Sequence, residues 1–190
     1  RNGKAMAVEA RELERFLPGG AVHQGFAAEV SPLPEMDVID LKDAKVVLIL
    51  DQVSDPHNIG AILRSCAAFG AGGVIVQDMN SPEENGVMAK AASGALEVVP
   101  YVRVTNISRA LEELKEYGFW CVGLDGEAKD HISKIHDYEK VALVLGAEGA
   151  GLRRMTKENC DLLAKIPIND GMESLNVSNA AAVALYELAR

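Results

Sequence analysis

The chain has 190 residues, 48% of them hydrophobic, and carries 19 Lys and Arg against 28 Asp and Glu, a net charge of −9. That length and apolar content suit one domain with a full core, or one domain with an appendage, and exclude a disordered chain; the acidic balance excludes a protein that coats nucleic acid by general positive charge, while leaving room for a local basic patch. No apolar run approaches the roughly 20 residues of a membrane span and no charged-then-apolar leader opens the chain, so a soluble, cytoplasmic protein is expected.

The first residue is Arg1 rather than Met, and an upstream portion is expected. Residues 5–17, AMAVEARELERFL, read as a helix with mixed charges on its outer face, stopped by Pro18-Gly19-Gly20. A linker-like stretch follows. It holds an expected extended segment over 22–30, and Ser31-Pro32-Leu33-Pro34 is kept out of helix because each proline restricts the residue before it. The domain boundary is placed here, separating 1–37 from 38–190.

The main domain repeats one unit, a short apolar or β-branched run followed by a helical pattern. Strands are expected at 46–50, 74–76, 98–104, 119–124, 141–145 and 164–168. The intervening helices include one whose apolar face is Ile59, Ile62, Leu63, Cys66, Ala67 and Phe69, one over 107–117, and a helical or irregular segment over 83–93. Continuous apolar strands alternating with helices predict an α/β fold, a mostly parallel sheet covered on both faces. Ligands of such sheets sit at the carboxyl ends of the strands. Three loops at those ends are polar and glycine-rich: 51–60, 125–127 and 146–151.

In the first loop Asp55-Pro56 starts a turn, Asn58 is positioned to cap the next helix, and Arg64 follows on an otherwise apolar helix. Such an arginine is explained by snorkelling, by an ion pair or by a ligand. The loop after the fifth strand places Gly146, Gly149 and Gly151 around Glu148, a spacing that is neither the G-x-G-x-x-G dinucleotide fingerprint nor a Walker loop. Near the end, Asn169-Asp170-Gly171 is turn chemistry. Ser174 or Asn176 can then cap a closing helix so rich in small and apolar residues that it is expected to be buried on most sides.

Other chemistries lack their signatures. His23, His57, His131 and His136 have no metal-binding spacing, so no metal is expected, and the 3 cysteines, Cys66, Cys121 and Cys160, are too scattered for a disulfide framework. Ser174 stands outside any G-x-S-x-G elbow.

Three segments, DPHNIGAILRSCAAFG (55–70), VLGAEGAGLRRMTKENCD (144–161) and IPINDGMESLNVSNAAAVALYE (166–187), together resemble the SpoU family of the SPOUT superfamily in order and spacing. The likeness covers about 22–190 and includes the HQGF stretch at 23–26. Members are RNA ribose 2'-O-methyltransferases that use S-adenosylmethionine. The resemblance implies an α/β-knot, in which the C-terminal segment threads a loop to form a deep trefoil, a topology that periodicity alone would not suggest. It implies cofactor contacts at Leu124, Gly126, Gly146, Ile166 and Leu175, and a catalytic set of Asn58, Arg64, Glu148, Ser174 and Asn176. It also implies a homodimer through the knotted region, with 1–37 as the end of an upstream L30e-like RNA-binding domain plus linker. The RNA expected is ribosomal, a 23S guanosine first, with transfer RNA or a non-catalytic RNA-binding module as alternatives. Arg64 would favour the developing alkoxide rather than act as base, because a guanidinium keeps its proton. Glu148 would orient Asn58 or Arg64, and Glu173 and Asn179 are the two departures from the family pattern.

Overall fold

The computed structural model describes residues 5–17, 19 and 21–190. The opening Arg1 and the helix stop expected at Pro18 and Gly20 lie outside the described residues. The chain divides into two units, Arg1–Leu33 and Pro34–Arg190. In the first, helix α1 is Ala10–Leu13, shorter than the 5–17 read from the sequence. The reason is physical: none of its residues is buried, and so short a helix is marginal without a packed face. Residues 22–30 form no strand; His23 and Phe26 close a turn, the Phe26 N–H donating to the His23 carbonyl at 2.9 Å.

The second unit rests on a seven-stranded sheet. Its strands are β1 Val46–Asp51, β2 Val74–Gln77, β3 Tyr101–Val104, β4 Trp120–Leu124, β5 Asp130–His131, β6 Val141–Gly146 and β7 Leu162–Lys165. All pairs are parallel, in the order β3-β2-β1-β6-β4-β7-β5. The helices are α2 Pro56–Phe69, α3 Gly86–Ala92, α4 Ile107–Glu116, α5 Arg154–Glu158 and α6 Val177–Ala189. The α/β class and the parallel sheet expected from the apolar runs are therefore present. No helix among the described residues is long and apolar enough to cross a membrane.

Alternation along β1 explains the two layers. Val47 and Ile49 join a core with Ile107, Leu111 and Leu114 of α4, while Leu48 and Leu50, equally buried, point to the opposite face. Chain direction accounts for which helix goes where. Right-handed crossovers from β1 out to β3 lay α2 and α3 on one face, and the return from β3 to β4 lays α4 on the other. Helix α2 is then flanked by α3 and α6.

Several boundaries differ from expectation. Strand β3 begins at Tyr101 rather than 98, because Ala95–Glu97 forms a 3-10 turn and Pro100, with no N–H to donate, meets β2 only as an acceptor, from the Val74 N–H at 2.8 Å. Strand β7 is Leu162–Lys165, two residues earlier than read, with Pro167 beyond it. Strand β5 and helix α5 went unread, the first because it is two polar residues, the second because its five residues show no apolar period.

At Gly60 the α2 and α3 backbones meet: a Cβ there would lie 2.6 Å from the Met88 carbonyl oxygen and 2.6 Å from Ala91 Cβ. Gly60→Ala is expected to lower unfolding stability by about 1–3 kcal/mol despite alanine's better helix propensity, because the helices must part. Urea titration checks it: the midpoint should fall with an unchanged slope.

Candidate functional site

The β6 strand lies between β1 and β4, so the loops leaving β4 and β6 rise side by side at the carboxyl edge of the sheet. Together with residues approaching α6 they wall a cavity of about 470 Å³, a volume in the range of small-molecule sites. Leu124, Gly126, Gly146, Ile166 and Leu175, the positions expected to hold a cofactor, all line it. The β6 loop folds back on itself: the Gly151 N–H donates to the Ala147 carbonyl at 2.8 Å. A Cβ on Gly146 would stand 2.1 Å from the Gly151 carbonyl carbon. Only glycine permits that return.

The polar side of the site is organised by Asn176, which caps α6. Its Oδ1 accepts from the Ser178 N–H at 3.0 Å and from the Ser178 hydroxyl at 2.6 Å. Its Nδ2 donates to Asn58 Oδ1 at 3.2 Å and to Glu148 Oε2 at 3.4 Å. One amide thus ties the first turn of α2, the β6 loop and the start of α6. Asn58 does not cap α2 as the sequence suggested; Asp55 does, accepting from the His57 N–H at 2.9 Å, and Pro56 takes the first helical position. That frees the Asn58 side chain for Asn176.

The remaining catalytic candidates are less tightly engaged. Ser174 is exposed and lines the cavity with Glu148. Asn176, not Ser174, is the N-cap. Arg64 is exposed on α2, six residues beyond Asn58 or about 9 Å of helical rise, and its side chain makes no hydrogen bond or ion pair among the described residues. Glu148 meets Asn58 only through Asn176, not directly, and it does not reach Arg64. Helix α6 is less enclosed than expected: Asn179, Val183 and Tyr186 face outward, with Tyr186 edge-on to Phe69 of α2 at 6.0 Å between ring centroids.

Two ion pairs escaped sequence reasoning. Asp51 and Arg153 join the end of β1 to the end of the β6 loop, with Arg153 Nη2 2.6 Å from Asp51 Oδ1. The only available signal was a charged residue closing the apolar run VVLILD. Asp125 and Lys157, both in the cavity wall, meet at 2.5 Å. Burial alone would raise the Asp125 carboxyl, but the Lys157 hydrogen bond, with help from the Glu127 N–H and the lysine's charge, outweighs it and holds the group below the ordinary carboxylate range. The thiols take no such part. Burial pushes Cys66, Cys121 and Cys160 each up to about 12, which leaves them protonated and poor nucleophiles near neutrality.

Residues 45–186 match the model of the SpoU rRNA Methylase family. The 23S rRNA (guanosine-2'-O-)-methyltransferase RlmB of Pseudomonas putida is 43% identical over 189 residues, covering 96% of this chain and 75% of that protein. The protein of the same name from Xylella fastidiosa is 46% identical over 200 residues, covering 100% of this chain and 80% of that one. Among solved structures, the SpoU methyltransferase AviRb from Streptomyces viridochromogenes has a TM-score of 0.76 at 27% identity, over 83% of this chain and 64% of that one. An AdoMet-bound rRNA methyltransferase from Sinorhizobium meliloti has a TM-score of 0.75 at 25% identity, over 82% of this chain and 60% of that one.

The Asp125–Lys157 pair has a pH signature. A carboxyl whose folded pKa is depressed adds stability that is present above its unfolded pKa, about 3.9, and is lost as pH falls through the lower folded value. Lys157→Met removes the cause. The stability gap between parent and variant, measured by urea unfolding, is expected to be open at pH 6 and to close progressively below about pH 4.

Proposed function

The chain belongs to the SpoU rRNA methylase family, and from that premise we propose that it transfers a methyl group from S-adenosylmethionine to a ribose 2'-hydroxyl in structured RNA, a guanosine of 23S ribosomal RNA. The observation that carries this reading is the Asn58–Asn176–Glu148 linkage beside a cavity walled by all five expected cofactor positions. The cavity fits the cofactor on its own geometry. The hairpin return at Gly146 bares backbone groups that a side chain would cover, and Leu124, Ile166 and Leu175 supply apolar wall for an adenosyl group.

S-adenosylmethionine, when bound, supplies a methyl already activated on a sulfonium. What the protein must add is alignment of the ribose oxygen and stabilisation of its developing negative charge. Arg64 fits that role as a solvent-facing guanidinium with no internal partner. It holds its proton throughout, and the hydroxyl proton passes to a neighbouring phosphate or to water. Asn58 and Glu148, locked by Asn176, fix the floor on which the ribose is placed, with Ser174 at the cavity rim.

Three further parts belong to the same reading. The segment from β7 to α6 threads the β6 loop as a trefoil knot; the position of β7 beyond β4 and the shared cavity wall support it. Two copies associate through α2 and α6, where Phe69, Val183 and Tyr186 offer apolar surface. Residues 1–37 are the end of an upstream L30e-like domain and its linker, and the protein works in the cytoplasm. Phe16, Phe26 and Val30, all at least 73% exposed, suit a segment whose packing partners lie elsewhere.

The test is calorimetric titration with S-adenosylhomocysteine, with NADH as control, alongside methyl transfer to 23S RNA. The parent is expected to bind the former alone. Arg64→Ala is expected to keep that affinity and lose about 10²–10³-fold in kcat, the scale of one removed charge-stabilising donor. Undiminished methylation by Arg64→Ala would refute the role given to it.

A further inference from the structure

We propose that Asp51 is a positioning residue for the cofactor cavity, acting through Arg153 from behind the β6 loop; the proposal rests on the cofactor reading above. Asp51 is the one charged residue among the described residues that is completely buried, at 0% exposure. A lone buried carboxylate costs several kcal/mol, so it persists only where its charge is fully met. Arg153 meets it twice over. Asp51 Oδ2 accepts from the Arg153 backbone N–H at 3.1 Å, and Oδ1 accepts from Nε at 2.7 Å with Nη2 at 2.6 Å.

The placement of the pair argues for function over bulk stability. Asp51 is the register partner of Gly146 across the β1–β6 ladder, and Arg153 stands seven residues later, where the loop ends and α5 begins. Both ends of the loop are therefore tied to one residue, the first by the sheet and the second by the ion pair. Residues 146–152 between them all wall the cavity, while Asp51 and Arg153 do not. On its other side Asp51 leads through Gln52, held at φ 66, into the turn that launches α2 and Asn58. A left-handed glutamine is a strained conformation that the surrounding contacts must over-determine. Asp51 thus sets the spacing between the helix carrying Asn58 and the loop carrying Glu148. Buried ion pairs seldom add much net stability over an apolar replacement. What this one adds is a fixed end for a glycine-rich loop whose one buried apolar anchor is Leu152.

The experiment compares the parent chain with Asp51→Asn, Arg153→Ala and Arg153→Lys, titrating each with S-adenosylhomocysteine at a temperature well below the lowest Tm of the set. Asp51→Asn and Arg153→Ala are expected to raise Kd at least about tenfold, with Arg153→Lys, which keeps the charge but not the fork, falling in between. A purely structural role would lower Tm and leave Kd within twofold of the parent, and that result overturns the proposal. Should Asp51→Asn not fold, the two Arg153 variants decide the matter, since that side chain is 44% exposed. No binding by the parent itself would overturn the cofactor reading and this inference with it, whereas parent binding with unaltered variants overturns the inference alone.

Discussion

The β1–β6 ladder is the constraint on which the rest of the structure depends. Six consecutive residues, Val46 to Asp51, pair in parallel with Val141 to Gly146, and every one of β1 beyond Val46 is buried. Parallel pairing needs long crossovers, so a strand that arrives sixth in the chain yet sits beside the first forces intervening elements to distribute around it. One consequence is local. The carboxyl ends of β1, β6 and β4 come together, and their loops share one edge. Chemistry at that edge then follows from which polar residues those loops carry, because the strands beneath are apolar.

An apolar sheet can hold strands in register but cannot fix the shape of loops above it. Three polar ties do that here: the Asn176 amide between Asn58 and Glu148, Asp51 with Arg153, and Asp125 with Lys157. Each is small beside the core. A neutral hydrogen bond contributes about 0.5–1.5 kcal/mol net and one to a charged group about 1.5–3, against about 1.5–3 for each of the many buried Leu and Ile side chains. Their value is directional. The core decides that the loops meet, and the ties decide which atoms face the cavity.

This division also explains what the sequence made legible. Period and composition were enough for the parallel α/β sheet, because runs as short as VVLIL and ALVL alternate with longer segments of helical period. The three motif segments pointed to Gly146, Ile166 and Leu175, and the cavity has them in its wall. What stayed hidden was pairing at long range. Asp51 and Arg153 are 102 residues apart, and Asn58 and Asn176 are 118 apart, so no local pattern links them. Asn58 looked like a cap because asparagine caps helices, and only the competing Asp55-Pro56 beside it shows why it was free for another partner. Short polar elements such as β5 failed for a related reason: their register comes from β7, not from themselves.

Charge is the last step. An acidic chain with the RNA substrate proposed above has to present positive charge sparingly, because each exposed cation near a carboxylate is neutralised before any phosphate arrives. In the second unit Arg103, Arg153, Arg154 and Arg190 are each paired to an acid. Arg64 is not, and it lies on the helix that Asn58 opens. Arg109 is also without an acid partner, but it belongs to α4, on the opposite face of the sheet. A guanidinium with no internal partner keeps its full field for a ligand. Of the snorkelling, ion-pair and ligand explanations open for Arg64 from sequence, the internal ion pair is removed by the geometry. Its nearness along α2 to the Asn58 tie favours the ligand over snorkelling.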